Sequence, residues 1–310
     1  MIKLKFSVPV LLIFLSSFAY GQSANTSRKE ALDIKRRVLL IPIVKGKGKK
    51  NSEMFQQLVK KYWTFNESIE YVPAAKVKGM MKKDKAKYAL LTYSVFTEWA
   101  IRKTRNPLYN ERSKLMRSKY TRDPYVANTI ATLMITLNGR KSLIKTNLSA
   151  NYSLERNTIY GLMQLQYLLN YLVENPKHRS LATFYRRQAP KNGPELKNKT
   201  LLIDKELLSK KLDIAKIKDY YPFPYKLADA PMIDEALKTR SDQYAFIHIA
   251  SIESGRGAMH IQFISSTKDG KIYLYVAPRA FSIAGLNGIK FRQFHKIGKK
   301  QLKRYAKKVK

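Results

Sequence analysis

Cysteine is absent from this chain of 310 residues. Its absence excludes disulfide bonds, thiolate metal sites, cysteine nucleophiles and a lipid-modified cysteine behind a signal sequence. A secreted domain without disulfides must be stabilised by its hydrophobic core, which a chain of this length can bury. The composition, with 45% hydrophobic and 11% aromatic residues, predicts a folded protein of one large or two ordinary domains.

Acidic residues are scarce, since 22 Asp and Glu stand against 60 Lys and Arg and leave a net charge of +38. Excess lysine can serve solubility alone, but a charge of this size repels itself and destabilises the compact state unless something balances it. The positive potential attracts anionic polymers and surfaces. We therefore expect an anionic partner, which could be a membrane, lipopolysaccharide, peptidoglycan or nucleic acid, and we also consider envelope protein partners.

Long apolar runs are missing after residue 18. Before it, Lys3 and Lys5 precede an apolar stretch at residues 6–18, and Ala19 and Gly21 are the small residues that a signal peptidase requires. This pattern predicts a cleaved signal peptide at 1–21, because the apolar stretch is shorter than the roughly 20 residues of a membrane span. We expect a bacterial protein exported across the inner membrane to the periplasm or the exterior, where it could lie peripherally on the outer membrane, with no transmembrane span after cleavage.

Histidine is also rare, with four in the chain. His248 and His260 lie on predicted neighbouring strands with Glu253 nearby, which makes them the candidates for a metal site, although a strand histidine more often has a structural hydrogen bond. The segment 253–257 lacks the first glycine of the GxSxG nucleophile elbow. We predict no cofactor and a non-enzymatic role, with an enzyme acting on an anionic polymer as an alternative.

An internal duplication is the main architectural signal. The apolar stretch at 88–95 returns at 244–251, and each copy follows a helical pattern, at 74–82 and 230–238. At the same offset, Val77 aligns with Ile233 and Met81 with Leu237. The sequence therefore predicts an α/β (α+β) protein with two tandem related domains, each with a mixed sheet, two helices and a carboxy-terminal β-hairpin.

The domain boundaries follow from composition. Turn signals at Asn138-Gly139 and at 268–270 indicate one hairpin in each copy. The predicted segments are a flexible leader or short helix at 22–37, a first domain at 38–175 with a basic insertion at 96–127, a linker at 176–199, a second domain at 200–288 and a basic tail at 289–310.

Two basic segments are candidate polyanion-binding sites. The insertion interleaves cations with aromatic residues, a combination that binds single-stranded nucleic acids and anionic sugar polymers. The alternative is a surface insertion whose aromatic rings pack back on the domain. Interpreted as a helix, the tail carries lysines all round its axis, which predicts electrostatic contact with an anionic surface rather than insertion. The candidates are Arg102, Lys103, Arg105, Arg112, Lys114, Arg117, Lys119 and Arg122 in the insertion, and Lys299, Lys300, Lys303, Arg304, Lys307 and Lys308 in the tail.

The first copy resembles the small periplasmic α/β domain of the TolB amino-terminal and curli-secretion lipoprotein group. The resemblance is carried by the opening strand at 38–43 and by the strand at 88–95, which follows the second helix. Lys87 stands where that group commonly has aspartate, Ser94 stands where glycine is common, and the lipidated cysteine of the curli proteins is missing. The resemblance covers residues 38–150 and, more faintly, 200–277, and it implies a non-catalytic assembly or binding role.

Overall fold

The described residues form two five-stranded mixed sheets, one from each copy of the duplicated sequence. The structure is a computed structural model that describes residues 26–97, 129–137, 143–149, 152–177, 180–254, 257–276 and 296–310. The strands of the first sheet are β1 (Val38–Ile43), β2 (Ile69–Pro73), β3 (Tyr88–Thr97), β4 (Thr129–Leu137) and β5 (Ile144–Leu148). Those of the second sheet are β6 (Thr200–Asp204), β7 (Tyr225–Ala228), β8 (Tyr244–Ser254), β9 (Gly257–Ser266) and β10 (Ile272–Val276).

Both sheets have the same strand order. The first runs β2-β1-β3-β4-β5 and the second runs β7-β6-β8-β9-β10. In each sheet the first strand pairs in parallel with the next two, and the last three strands are antiparallel neighbours. This identity of topology confirms the predicted fold class of two related α+β domains.

The register of the two sheets is also the same. The backbone N–H of Val38 donates to the Lys87 carbonyl at 3.0 Å, and that of Thr200 donates to the Gln243 carbonyl at 2.9 Å. Tyr88 pairs with Val38 in the first sheet, as Tyr244 pairs with Thr200 in the second. The stretches at 88–95 and 244–251, which the sequence indicates as repeats of each other, are therefore the equivalent central strands of the two sheets.

Helices complete each repeat. The helices of the first repeat are α1 (Arg28–Arg36), α2 (Lys49–Tyr62), α3 (Ala74–Lys83) and α4 (Leu154–Glu174). In the second repeat, helical turns at Leu181–Thr183, Phe184–Gln188 and Ala189–Asn198 precede β6, and α5 (Ile217–Tyr220), α6 (Ala230–Lys238) and α7 (Lys299–Val309) follow it in order.

The repeating unit is longer than the duplication found in the sequence. Helix α1 lies directly before β1 and buries Ala31 and Ile34, so this part of the predicted leader is an ordered helix. The predicted linker likewise contains helical turns directly before β6, and it buries Phe184 and Leu196 in the core. Helix α4 follows β5, and α7 follows β10, at the end of each repeat.

Helix α7 corrects the prediction for the tail. Leu302, Tyr305, Ala306 and Val309 are buried against the second sheet, so the lysines occupy the remaining face and do not surround the axis. The spacing of these four residues is that of an amphipathic helix with one apolar stripe. Lysines lie between these four residues in the sequence, so the composition of the tail does not show the apolar stripe.

Helix α4 lies between the two sheets and belongs to the core of both. On one side, a Cβ atom added to Gly161 would lie 3.0 Å from Leu133 Cδ2 of the first sheet. On the other side, Gly270 in the hairpin of the second sheet approaches the backbone of Met163 and Gln164. The two repeats therefore share one hydrophobic core, which includes residues of both sheets.

The two repeats use opposite faces of their sheets to contact α4. In the first sheet, Leu39 faces α4, whereas its neighbour Leu40 packs under Val77 of α3. In the second sheet, Leu202 faces the core that contains α4 and α6, and Leu201 faces α7. Helix α7 thus has the place on the second sheet that α4 has on the first.

We predict that Gly270→Ala destabilises the protein by at least about 2 kcal/mol more than Gly46→Ala. Both glycines have positive φ, at 74° and 73°, so alanine is strained by a similar amount at each. A Cβ atom at Gly270 would lie 2.7 Å from the Gln164 backbone nitrogen, whereas Gly46 has nothing within 4 Å. Urea unfolding of both variants measures the difference, and equal losses would contradict close packing of α4 on the second sheet.

Candidate functional site

The structure describes part of the predicted polyanion-binding set. The eight cations of the insertion, from Arg102 to Arg122, lie outside the described residues. The six cations of the tail lie on α7. Helix α7 is therefore the predicted basic segment that lies within the described residues.

Helix α7 is held to the second sheet by its apolar face. Leu302, Tyr305 and Val309 are completely buried, and the Tyr305 hydroxyl donates to Gln262 Oε1 at 2.6 Å. At the start of the helix, the Gly298 N–H donates to Gln301 Oε1 at 3.2 Å, which satisfies one of the amide groups that a first turn leaves unpaired. The opposite face is consequently presented by a fixed backbone.

That opposite face is basic and has no acidic residue of its own. Lys299, Lys300, Lys303, Lys307 and Lys310 are exposed. The sequence contains no Asp or Glu after Asp269. Within the described part of the chain, none of these five lysines forms an ion pair.

Several of the lysine ammonium groups lie over tyrosine rings. Lys299 Nζ and Lys303 Nζ lie 5.1 and 5.7 Å from the centroid of the Tyr220 ring in α5. On the other flank, Lys308 Nζ lies 5.3 Å from the Tyr275 ring centroid and donates to the Tyr275 carbonyl at 3.1 Å. Burial, followed by the nearby Arg304 charge, lowers the pKa of Lys308. Cation–π contact of this kind stabilises a lysine without neutralising it.

The two candidate histidines do not form a metal site. His248 pairs with Phe263 across β8 and β9, whereas His260 pairs with Ser251, an odd number of residues away on each strand. Successive side chains of a strand point to opposite faces, so the two imidazoles are separated by the sheet. No group of three His, Asp or Glu side chains suited to a metal ion occurs in the described ranges.

His248 is instead a buried structural residue. Its side chain is completely buried, and its ring lies 4.1 Å from the Tyr160 ring and 5.6 Å from the Tyr152 ring. Nε2 is 3.3 Å from the Asn147 carbonyl oxygen of the first sheet. Burial lowers the pKa of His248 to about 3, so the imidazole is neutral at physiological pH.

A buried ionic cluster joins the two repeats, and the sequence did not reveal it. Arg156 in α4 is 5% exposed, and its Nε lies 2.5 Å from Asp234 Oδ1 in α6. Its Nη2 donates to the Ala230 carbonyl at 2.8 Å, and its Nη1 lies 3.7 Å from Asp204 Oδ2 at the end of β6. Burial raises the pKa of Asp204, whereas the Arg156 charge acts in the opposite direction. Arg156 is the only cationic residue of α4, which was the available signal, but its partners depend on the tertiary fold.

A second polar connection crosses α4 from sheet to sheet. The Thr146 hydroxyl of β5 donates to Gln164 Oε1, and Gln164 Nε2 donates to the Tyr160 hydroxyl. The Tyr160 hydroxyl is 3.4 Å from Ser265 Oγ of β9. All four residues lie in the interior, so this arrangement positions the sheets and offers no access to a substrate.

Comparison with protein-family models, with curated proteins and with solved structures finds no match to this chain. None of the helices in the described ranges is long and apolar enough to cross a membrane. The basic face of α7 is the candidate site because its lysines are exposed, whereas His248 and Arg156 are buried parts of the scaffold.

We predict that Arg156→Leu destabilises the protein by about 3–5 kcal/mol, because it leaves the buried Asp204 without its cation. Lys216→Leu serves as the control, since it removes an exposed pair with Asp213 that contributes less than about 1 kcal/mol. Adding Asp204→Asn to Arg156→Leu should recover part of the loss. Urea denaturation checks all three variants, and similar small losses for Arg156→Leu and Lys216→Leu would show that the cluster does not hold the repeats together.

We predict that His248 makes the protein less stable as the pH falls below about 6.5. The folded pKa is about 3, so between this value and the unfolded pKa of about 6.5 only the unfolded state binds the proton. The free energy of unfolding should then fall by about 1.4 kcal/mol per pH unit from this residue. Asp204 acts with the opposite sign, because its raised pKa lets the folded state bind a proton first. Urea unfolding at pH 7, 6 and 5 should give a shallower pH dependence for His248→Phe, and parallel curves would refute the assignment.

Proposed function

We propose that this protein is a non-enzymatic binding or scaffold protein of the bacterial envelope, exported by its signal sequence, that attaches to an anionic membrane surface through the basic face of α7. The observation that carries the proposal is the division of α7 into two faces. One face is buried in the protein's own core, and the other carries five exposed lysines without an acidic residue in the helix.

The division of α7 determines the kind of contact. The apolar stripe of Leu302, Tyr305, Ala306 and Val309 already packs on the second sheet, so it is not available for insertion into a bilayer. The lysines are left for electrostatic attraction, which contributes about 1 kcal/mol per residue near an anionic membrane surface. We therefore expect peripheral and salt-sensitive binding.

The scaffold role rests on the shared core. Helix α4 packs against both sheets, and Arg156 links it to Asp204 and Asp234 of the second repeat. A rigid pair of repeats would hold the basic face at a fixed angle to the rest of the molecule. We infer a relation of each repeat to the TolB amino-terminal and curli-secretion domains from the sequence resemblance at 38–150 and, more faintly, at 200–277.

Nucleic acid and anionic polysaccharide remain alternative partners, and the insertion at 96–127 is the segment that favours them. On α7 the geometry favours a surface, because Lys299 and Lys303 cover the Tyr220 ring on which a base or sugar would stack. An enzyme acting on an anionic polymer receives less support, since His248 is enclosed and His260 lies across the sheet from it.

We predict that the mature protein binds vesicles containing anionic lipid and that Lys299→Gln/Lys300→Gln/Lys303→Gln/Lys307→Gln weakens this binding by about tenfold or more. The control Lys76→Gln/Lys78→Gln/Lys82→Gln/Lys83→Gln removes the same charge from the exposed side of α3 and should retain most of the affinity. Vesicle co-sedimentation at low and physiological salt measures both variants, and binding should weaken steeply with salt.

The proposal fails if the wild-type protein shows no salt-sensitive binding to anionic vesicles. Parallel titrations with lipopolysaccharide, peptidoglycan and single-stranded DNA would then identify which alternative partner applies. An equal loss in the two quadruple variants would show that net charge, rather than the face of α7, determines binding.

A further inference from the structure

A groove of about 300 Å³ runs between α5 and the carboxy-terminal half of α7. Its polar lining consists of Asp219 and Tyr220 from the end of α5 and of Lys303, Lys307 and Lys310 from α7. We propose that this groove binds a phosphomonoester group. The inference rests on the proposed function, because it assigns a specific headgroup site to the same basic helix.

The three lysines are neighbours on the helix surface because of their spacing. Lys303, Lys307 and Lys310 are four and three residues apart, so they lie on one side of the helix. Both walls of the groove are fixed from below, by Tyr305 and Val309 in α7 and by Ile217 and Tyr221 at α5, all of which are completely buried. The backbone from which the three lysines extend is thus held in place by buried residues on both sides of the groove.

The charge of the groove matches a doubly charged anion. The lining residues include three lysines and one aspartate, Asp219, so the formal charge of the lining side chains is +2. A phosphomonoester carries about −1.5 to −2 charges at neutral pH and has three acceptor oxygens. A carboxylate or a phosphodiester carries a single charge and would leave part of the groove uncompensated. Lysine is also a common phosphate ligand that acts as a point charge.

Tyr220 gives the groove a defined wall. Its ring lies under Lys303 at 5.7 Å and under Lys299 at 5.1 Å, which places a fourth cation at the rim. Because a cation–π contact leaves the ammonium charge in place, both lysines still attract an anion. A tyrosine hydroxyl can in addition donate a hydrogen bond to a phosphate oxygen.

The position of the groove agrees with a ligand that belongs to a surface. The groove shares Lys303 and Lys307 with the exposed basic face of α7, so a lipid headgroup in the groove would place the bilayer against that face. A soluble phosphomonoester or inorganic phosphate offers the same chemistry without the bilayer. The experiment therefore has to separate these two sources.

The test compares vesicles of phosphatidic acid, which carries a phosphomonoester, with vesicles of phosphatidylglycerol, which carries a phosphodiester, at matched surface charge. The groove variant is Lys303→Gln/Lys307→Gln/Lys310→Gln. The control is Lys78→Gln/Lys82→Gln/Lys85→Gln, which removes three exposed lysines of the same spacing from α3 and the turn behind it. Thermal unfolding of both variants verifies that they are folded.

The wild-type protein should prefer phosphatidic acid by about fivefold or more, the effect of one further unit charge at a basic surface. The groove variant should lose this preference but keep weak, salt-sensitive binding to both vesicles, whereas the control should keep the preference. If millimolar inorganic phosphate competes with the vesicles, the site accepts soluble phosphate. If it does not compete while the preference persists, the site requires a lipid headgroup, and both results support the proposal.

Equal wild-type binding to the two vesicles, or loss of the preference in the control as well as in the groove variant, overturns the phosphomonoester site. Either result leaves the proposed function intact as long as binding remains salt-sensitive. Absence of binding to both vesicles overturns the headgroup site together with the proposed function.

Discussion

Helix α4 is buried round most of its circumference, which requires that it be covered on more than one side. The first sheet covers one side, through contacts such as that of Gly161 with Leu133, and the second sheet covers the other, through Gly270. Neither repeat could bury α4 alone. The duplication therefore yields one cooperative core, although the sequence alone predicts two separate domains in tandem.

The polar groups in this core are consistent with a fixed arrangement of the repeats. Hydrophobic contacts between two sheets and a helix allow sliding, but a buried charge or amide is costly when it loses its partner. Arg156 reaches Asp204 and Asp234 only in one placement of α4 on the second repeat. In the same placement the Tyr160 hydroxyl, which accepts from Gln164, is 3.4 Å from Ser265 Oγ of the second sheet. We regard this selection of one geometry as their contribution, more than any gain in stability.

The sequence predicts those features that depend on local pattern and on repetition. The central strands at 88–95 and 244–251, the helices before them and the hairpins all follow from hydrophobic periodicity and turn residues. Features that depend on tertiary contacts were missed. The register of β8 with β9 decides whether His248 and His260 share a face of the sheet, and the elements that cover α4 decide whether Arg156 is buried. The sequence spacing of its four apolar residues is enough to predict the buried stripe of α7, but the expectation for the tail was based on its lysines.

The comparison of α4 with α7 explains why the basic surface lies where it does. Both helices close a repeat by packing on the same relative face of its sheet, but α4 has a second apolar side for the next sheet, and α7 has lysines there. A helix face that no neighbouring element covers needs polar residues in contact with water. Any polar residues would meet this need, for example a mixture of glutamate and lysine. The outer face of α7 carries many lysines and no acidic residue, which is more positive charge than contact with water requires, and this excess is the reason that the proposed function places the anionic partner there.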